Sequence, residues 1–466
     1  MADSTGGLAP DLAAGVLERA LRRGGDFAEV YAEERTSFSL RLEDGKIEDV
    51  ASGEDRGASV RVVKGATTSF GYTDALDEAS LFGLAERLAA SLGGAPGEAA
   101  VLAVVEAPRV HAVRVAFTDV DAGAKADVLR AVDQAARQRS AEVRQVASGY
   151  SEGRQRVWIA NSRGTFATDD RSRVVLSLTV VAQRDGNIQI GRETLAHHGG
   201  YELIADADVQ RFAEEATDKA IVMLGAEPSP AGRMPVVLAN GFGGVLFHEA
   251  CGHGLEADFI LKNTSIWAGR LGQRVAAPFV TAYDDGVSAG MWGSATFDDE
   301  GTASQKTAVI QDGILTAYLT DLLRGERLGM PSTGNGRRQS FRHLPYPRMT
   351  NTYFGAGQGT AADLIADTPR AFYARSLAGG QVDPATGDFV FGVSEGYLIE
   401  QGRIGPAVKG ATLIGNGAEV LLAIDAVADD LDLKAGMCGK EGQSVPVGTG
   451  QPTVRLRELT VGGTSV

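Results

Sequence analysis

Apolar and polar positions alternate with different periods along the chain. Leu12, Val16, Leu17, Ala20 and Leu21 recur at helical spacing over residues 11–23, and Gly24-Gly25 ends that run. Period-two alternation follows over residues 28–34, 37–42, 46–52 and 58–64, with Asp44-Gly45 as a hairpin turn. This pattern predicts an antiparallel meander. Leu81, Leu84, Leu88 and Leu92 mark a second helix, and residues 124–137 a third. Strand-like runs fill residues 143–195, with Arg163-Gly164 at one turn, and a helical pattern returns over 209–224. His197-His198 stands among polar residues before Gly199-Gly200 and reads as a solvated loop.

Residues 225–233 (GAEPSPAGR) have the composition of a linker. They divide the chain into an N-terminal domain, 1–225, and a C-terminal domain, 234–466. The expected fold class is α+β. An antiparallel sheet with helices comes first, and a strand-rich domain follows that carries a metal-site helix. In the second domain Val236, Val237 and Leu238 read as a buried strand. Gly241, Gly243 and Gly244 form a turn, and Val245, Leu246 and Phe247 begin a helix. Gly313 and Gly402 mark two further hairpin-like units. Asp298-Asp299-Glu300, before Gly301, reads as a polar turn rather than a second metal site.

Composition narrows the function classes. The 466 residues suit two domains, and a 44% hydrophobic content fills a sizeable core. A net charge of −15 argues against non-specific nucleic-acid binding. No apolar run approaches the ~20 residues that a membrane span needs. The first residues lack the basic and apolar regions of a signal peptide. A cytoplasmic protein without membrane or nucleic-acid partners is expected. Cys251 and Cys438 lie too far apart in sequence to suggest a disulfide framework.

The candidate chemistry sits in the run His248-Glu249-Ala250-Cys251-Gly252-His253. The chain has only six histidines, and two of them flank this glutamate. Burying such groups unpaired is costly, so they need partners: a metal ion, or hydrogen bonds that satisfy the two histidines at an irregular helix end. The spacing is i, i+5, however, which on a regular α-helix separates the two imidazoles by about 140°. The helix must therefore bulge or end before His253, and Gly252 and Gly254 permit this. Two later stretches bear on the site. Residues 333–353 pack Arg337, Arg338, Arg342, His343 and Arg348 into a segment whose prolines exclude a regular helix; it offers forked donors to carboxylates and carbonyls of a ligand, or else is a solvated basic loop or pairs with the chain's surplus acids. Residues 436–446 place Cys438 in a glycine-rich turn, where a thiolate could reach a metal.

These motifs resemble the TldD/PmbA metallopeptidases, also described as modulators of DNA gyrase. The resemblance rests on FHEACGHGLEAD, FDDEGTASQKTAVIQDGILTAYLTD, GNGRRQSFRHLPYPRMTNTY, VSEGYLIEQGRIGPAVKGATLIGNG and AGMCGKEGQSVPVGTGQP, which occur in family order over most of residues 236–452. The histidine-glutamate motif favours the TldD branch over the PmbA (TldE) branch, which typically lacks it. The resemblance implies that His248, His253 and Cys438 are metal ligands and that Glu249 is the general base. It also implies cleavage of unfolded or extended peptides, with a PmbA/TldE-like paralogue as heterodimer partner; a homodimer is the alternative assembly. Two imidazoles and a thiolate suit zinc, with iron the second choice. Arg337, Arg338 and His343 are expected along the substrate path, and Cys251 is expected to pack rather than ligate. The rival readings are a cysteine peptidase using Cys438 and a metal-stabilised subunit that binds peptide without cutting it.

Overall fold

Four long strands, Phe27–Glu43, Lys46–Lys64, Val143–Asn161 and Thr165–Arg184, form the centre of an antiparallel sheet. Thr67–Thr73 and Asn187–His198 flank them, and Ala103–Val104 adds a short parallel pairing. The computed structural model describes residues 7–463. The first hairpin turns at Asp44 and Gly45, both at positive φ (47° and 77°), the geometry that matches strand twist. Each of the first two long strands replaces two shorter predicted ones. Their apolar pattern lapses midway because residues 27–33 are buried on both faces whereas Thr36 and Ser37 are exposed.

The even-numbered face of the first strand carries the helices. Val16 and Leu17 of helix Pro10–Leu21, with Leu81 and Leu84 of helix Glu78–Ala90, pack on Val30, Ala32, Val60 and Val62. Farther along the same face, Leu129 and Val132 of helix Ala122–Arg139 and Ala213 and Ala216 of helix Val209–Leu224 pack on Leu42, Val146 and Leu176. The odd-numbered face turns toward the C-terminal part. Tyr31, Val157 and Ile159 form a buried cluster with Phe341.

In the C-terminal part five strands close on themselves. Gly232–Leu238 pairs with Arg370–Val382, which pairs with Asp388–Glu400, then Thr412–Asn416, then Val454–Gly462, which returns to Gly232–Leu238. Such closure leaves no free edge within the ring. Val236, Leu238, Phe372, Phe389, Phe391, Leu413 and Leu456 belong to the core beneath it. A separate mixed sheet contains Asn351–Phe354, which runs parallel to Gln443–Gln451; the latter pairs antiparallel with Asp432–Lys440. Residues 225–233 are docked. Glu227–Pro228 pairs with the strand Arg403–Lys409, and the Ser229 N–H donates to the Lys409 carbonyl at 2.9 Å. No helix among the described residues is long and apolar enough to cross a membrane.

Ion pairs join the two parts. The polar turn expected at Asp298, Asp299 and Glu300 forms, with the Gly301 N–H donating to the Asp298 carbonyl at 3.3 Å, but all three acids are buried. Glu300 pairs with Arg61 at 2.6 Å, and Arg61 also pairs with Glu29 at 2.7 Å. Asp299 pairs with Arg171 at 2.7 Å, and Arg338 pairs with Glu29. The partners come from distant stretches, so the acids' local sequence gives no sign of them.

Candidate metal centre

The strand Gly232–Leu238 leads through a 3₁₀ turn at Gly241–Gly244 into one turn of α-helix, Val245–Phe247. The chain then widens into a π-helix over His248–Gly252, and the His253 N–H donates to the His248 carbonyl. This is the bulge that the i, i+5 spacing demanded. Adding one residue per turn gives i and i+5 the relation that i and i+4 have in an α-helix. The two imidazole centroids lie 5.2 Å apart, nearly perpendicular. Gly252 does not supply an unusual dihedral, since its φ is −57°. It supplies space, because a Cβ there would lie 2.1 Å from the sulfur of Met349.

Cys438 arrives from the strand Asp432–Lys440, and its Sγ lies 3.3 Å from His253 Nε2. Candidate ligand atoms of His248, His253 and Cys438 all fall within 4.8 Å of one another, and all three residues are buried. Cys251 goes elsewhere. It is buried in the hydrophobic core with its sulfur 4.0 Å from the Gly417 carbonyl, and burial pushes its thiol pKa up. Burial also opposes ionisation of Cys438, but His248 and His253 outweigh it and bring its pKa down to about 4. The thiolate form is the one that ligates metals.

His253 is held from behind. Its Nδ1 donates to Glu256 Oε2 at 3.0 Å, leaving Nε2 toward the sulfur. Glu256 is fully buried and is met by Lys440 Nζ at 2.8 Å; the same ammonium reaches Asp258 at 2.7 Å. Burial would raise the Glu256 pKa, but Lys440 and His253 prevail and hold it at about 2. A carboxylate behind a ligand imidazole fixes its tautomer and raises its basicity. Glu256, Asp258 and Lys440 escaped the sequence reading, although a signal existed. Glu256 follows His253 by three residues, and Lys440 follows Cys438 by two on one strand, hence on the same face. Arg348, which the sequence placed in the basic segment, donates from its guanidinium to the Cys438 carbonyl.

The residues fit a metal ion. Two buried nitrogens and a sulfur converge, one imidazole already has its orienting carboxylate, and His248 Nδ1 is buried with no hydrogen-bond partner. Glu249 stands at the rim. Its Oε2 is 3.8 Å from His253 Nε2, and its side chain keeps 28% of its exposure.

The basic segment is less open than its charge suggested. Arg337 donates to the carbonyls of Met349 and Pro446. Arg338 donates to Glu29 and to the Asp299 carbonyl, its guanidinium 4.4 Å from the Tyr31 ring. His343 Nδ1 lies 2.8 Å from Ser340 Oγ, and its ring is partly exposed. Among the described residues, none of the three side chains has a hydrogen bond or ion pair to His248, His253 or Cys438. Arg337 and Arg338 instead line a cleft of about 320 Å³ between the two parts of the chain, whose wall includes Met437.

Three family domains match the sequence in order: PmbA/TldA metallopeptidase domain 1 at residues 28–92, the central domain at 116–224 and the C-terminal domain at 231–463. The first two share the single N-terminal sheet, since Phe27–Glu43 pairs with Val143–Asn161. A Haemophilus influenzae protein named "Metalloprotease TldD homolog" is 43% identical over 451 residues, 94% of this chain and 93% of that one. Among solved structures, a Thermotoga maritima protein described as a modulator of a DNA gyrase superposes with a TM-score of 0.80 at 22% identity, covering 94% of this chain and 96% of that one. TldE from Thermococcus kodakarensis gives 0.76 at 18% identity, covering 94% and 97%. With full-length kinship to metalloproteases and a histidine–histidine–cysteine cluster in place, the chain belongs to the PmbA/TldD metallopeptidase family as a TldD-like member.

Proposed function

We propose that this chain hydrolyses peptide bonds in unfolded or extended peptides, with His248, His253 and Cys438 holding zinc and Glu249 acting as general base. The observation that carries the reading is the Glu249 carboxylate, at the open side of a buried ligand cluster and 3.8 Å from a ligand imidazole. An ion bound there supplies Lewis acidity, polarising a carbonyl and acidifying water. The chain's residues do the rest. Glu249 takes a proton from water and delivers it to the leaving amine. Glu256 and Lys440 keep the His253 ring in place. The mixed donor set favours zinc, with iron as the second candidate. Arg337, Arg338 and His343 border the substrate path. A PmbA/TldE-like paralogue is the proposed partner in the cytoplasm, with a homodimer as the alternative.

A second reading has an observation of its own. The 3.3 Å contact between Cys438 Sγ and His253 Nε2 is also the geometry of a cysteine peptidase pair. Chelation and alkylation separate the two. Purified protein, alone and with its paralogue, is assayed on an unstructured peptide after chelation, after metal is restored, and after thiol alkylation of the metal-loaded form. Loss on chelation with recovery on zinc supports the metallopeptidase. Activity that survives chelation but not alkylation overturns it. Peptide binding without cleavage under every condition would mark a non-catalytic subunit.

A further inference from the structure

The cleft between the two parts is lined by six arginines and one acid, Asp299, in a chain whose net charge is −15. Three of the six are neutralised by carboxylates. Arg154 pairs with Asp170, Arg171 with Asp169 and Asp299, and Arg338 with Glu29. The others are not matched in the same way. Arg173 donates to the carbonyls of Trp292 and Ser294 at 3.2 and 3.3 Å, and Arg337 to those of Met349 and Pro446. Among the described residues neither has a carboxylate within ion-pair distance. Arg35 donates to the Gln339 carbonyl at 2.9 Å and keeps Glu33 only at 3.6 Å.

A guanidinium has five N–H donors, and carbonyls satisfy some of them without neutralising the charge. Charge held away from water is costly until an opposite charge joins it, and Arg337 is buried and Arg173 half-buried. The strain registers on both residues. Burial first, then Arg171 and Arg337, bring the Arg173 pKa down to about 9; burial, with Arg348 and Arg171 adding to it, brings Arg337 to about 10. An incoming anion would relieve this. A carboxylate is the anion that a peptide brings, and its two oxygens match the guanidinium fork.

We propose that this cleft is a carboxylate-binding site for the peptide substrate, with Arg35, Arg173 and Arg337 as its donors. The inference rests on the peptidase reading for the identity of the ligand. The cleft touches the metal-bearing strand at Met437, whose side chain is exposed while that of neighbouring Cys438 is buried. Successive side chains on a strand point to opposite faces. The site therefore grips a part of the substrate other than the scissile bond, as a C-terminal carboxylate or an aspartate or glutamate side chain.

The test uses the full chain, metal-loaded and carrying Glu249→Gln so that the probe stays intact. A labelled alanine–serine peptide is prepared with central glutamate or glutamine, each as the C-terminal acid or amide. Fluorescence anisotropy gives the affinity of each form. We expect one acidic form to bind at least about tenfold tighter than the neutral peptide, the scale of a charge-assisted hydrogen bond. The acid–amide and glutamate–glutamine comparisons identify which carboxylate is recognised. Arg173→Gln and, separately, the more exposed Arg35→Gln should reduce that preference, so a folding defect in one variant leaves the other to decide. Equal affinity for all four peptides overturns the proposal, as does a preference that survives in both variants. Cleavage of the neutral peptide by the unsubstituted protein is measured in parallel. Its presence without any charge preference would discard the carboxylate site alone, and its absence would count against the peptidase reading.

Discussion

Cys438 Sγ sits 3.3 Å from His253 Nε2 although 185 residues separate them in sequence, whereas Cys251, inside the histidine motif, faces the core. Cys438→Ala should therefore abolish stoichiometric metal binding, and Cys251→Ala should retain it. Elemental analysis of the two purified variants decides; metal retained in the first and lost in the second would reverse the ligand assignment.

Glu249 has partial solvent access and no direct hydrogen bond to the ligand cluster, so Glu249→Gln should keep both metal and fold. Turnover should fall by roughly 10²–10⁴-fold, the usual share of a positioned acid–base group. Metal content, melting temperature and rate are read on one preparation. Full turnover with metal intact would remove Glu249 as the base and direct attention to His343.

Lys440 neutralises two buried acids, Glu256 and Asp258. Lys440→Met leaves Asp258 uncompensated and Glu256 with His253 alone, and should cost roughly 3–5 kcal/mol of stability. Glu256→Gln should instead act mainly on the metal, weakening binding about 10–100-fold through the orientation of His253. Denaturant titration and competitive chelation measure the two effects. Unchanged stability in the first variant and unchanged affinity in the second would show that the buried chain does not support the site.

Gly252→Ala places a methyl group against Met349, which is fully buried and has little room to yield. Overpacking of this kind costs about 1–3 kcal/mol. Because the same residue ends the π-turn, metal affinity should fall with stability. A variant with wild-type melting temperature and metal content would show that the contact relaxes without consequence.

His198 is buried in a strand rather than solvated. It stacks on His111, and its Nδ1 donates to the Ser294 carbonyl at 2.9 Å, while His111 Nδ1 accepts from the Gly290 N–H. Burial, followed by Arg173, lowers the pKa of both; that of His111 falls to about 4. Below an unfolded value near 6.5 the unfolded chain takes up protons that the folded pair refuses, so this pair's contribution to stability is present at pH 7 and is lost as pH falls toward about 4. Urea midpoints at pH 7 and pH 5 should show a drop that is smaller in His111→Gln. An identical drop would assign the acid sensitivity to other groups.

The sequence was most informative where structure is local. The Asp44-Gly45 and Arg163-Gly164 turns, the helices Pro10–Leu21, Glu78–Ala90, Ala122–Arg139 and Val209–Leu224, and the irregular turn between His248 and His253 follow from spacing and residue type over a few positions. It was least informative where distant charges cancel. Arg338 and Glu29 are 309 residues apart, and nothing near either one announces the other. For that reason neither the particular partners of the basic stretch nor the burial of the Asp298–Glu300 turn could be read from the sequence. Lys440 lies between these cases. Its two-residue offset from Cys438 was visible, but its value depends on Glu256 beneath it, which only the fold reveals.

The separation of Cys438 from the histidines also has a consequence in time. A ribosome makes His248, Glu249 and His253 well before it makes Cys438, and the strand Val454–Gly462 that seals the five-stranded ring comes later still. Until then a growing chain holds two of the three candidate ligands on an unsealed scaffold. On this structure the candidate site cannot be complete before Cys438 is made, and the ring cannot be sealed before Val454–Gly462 is.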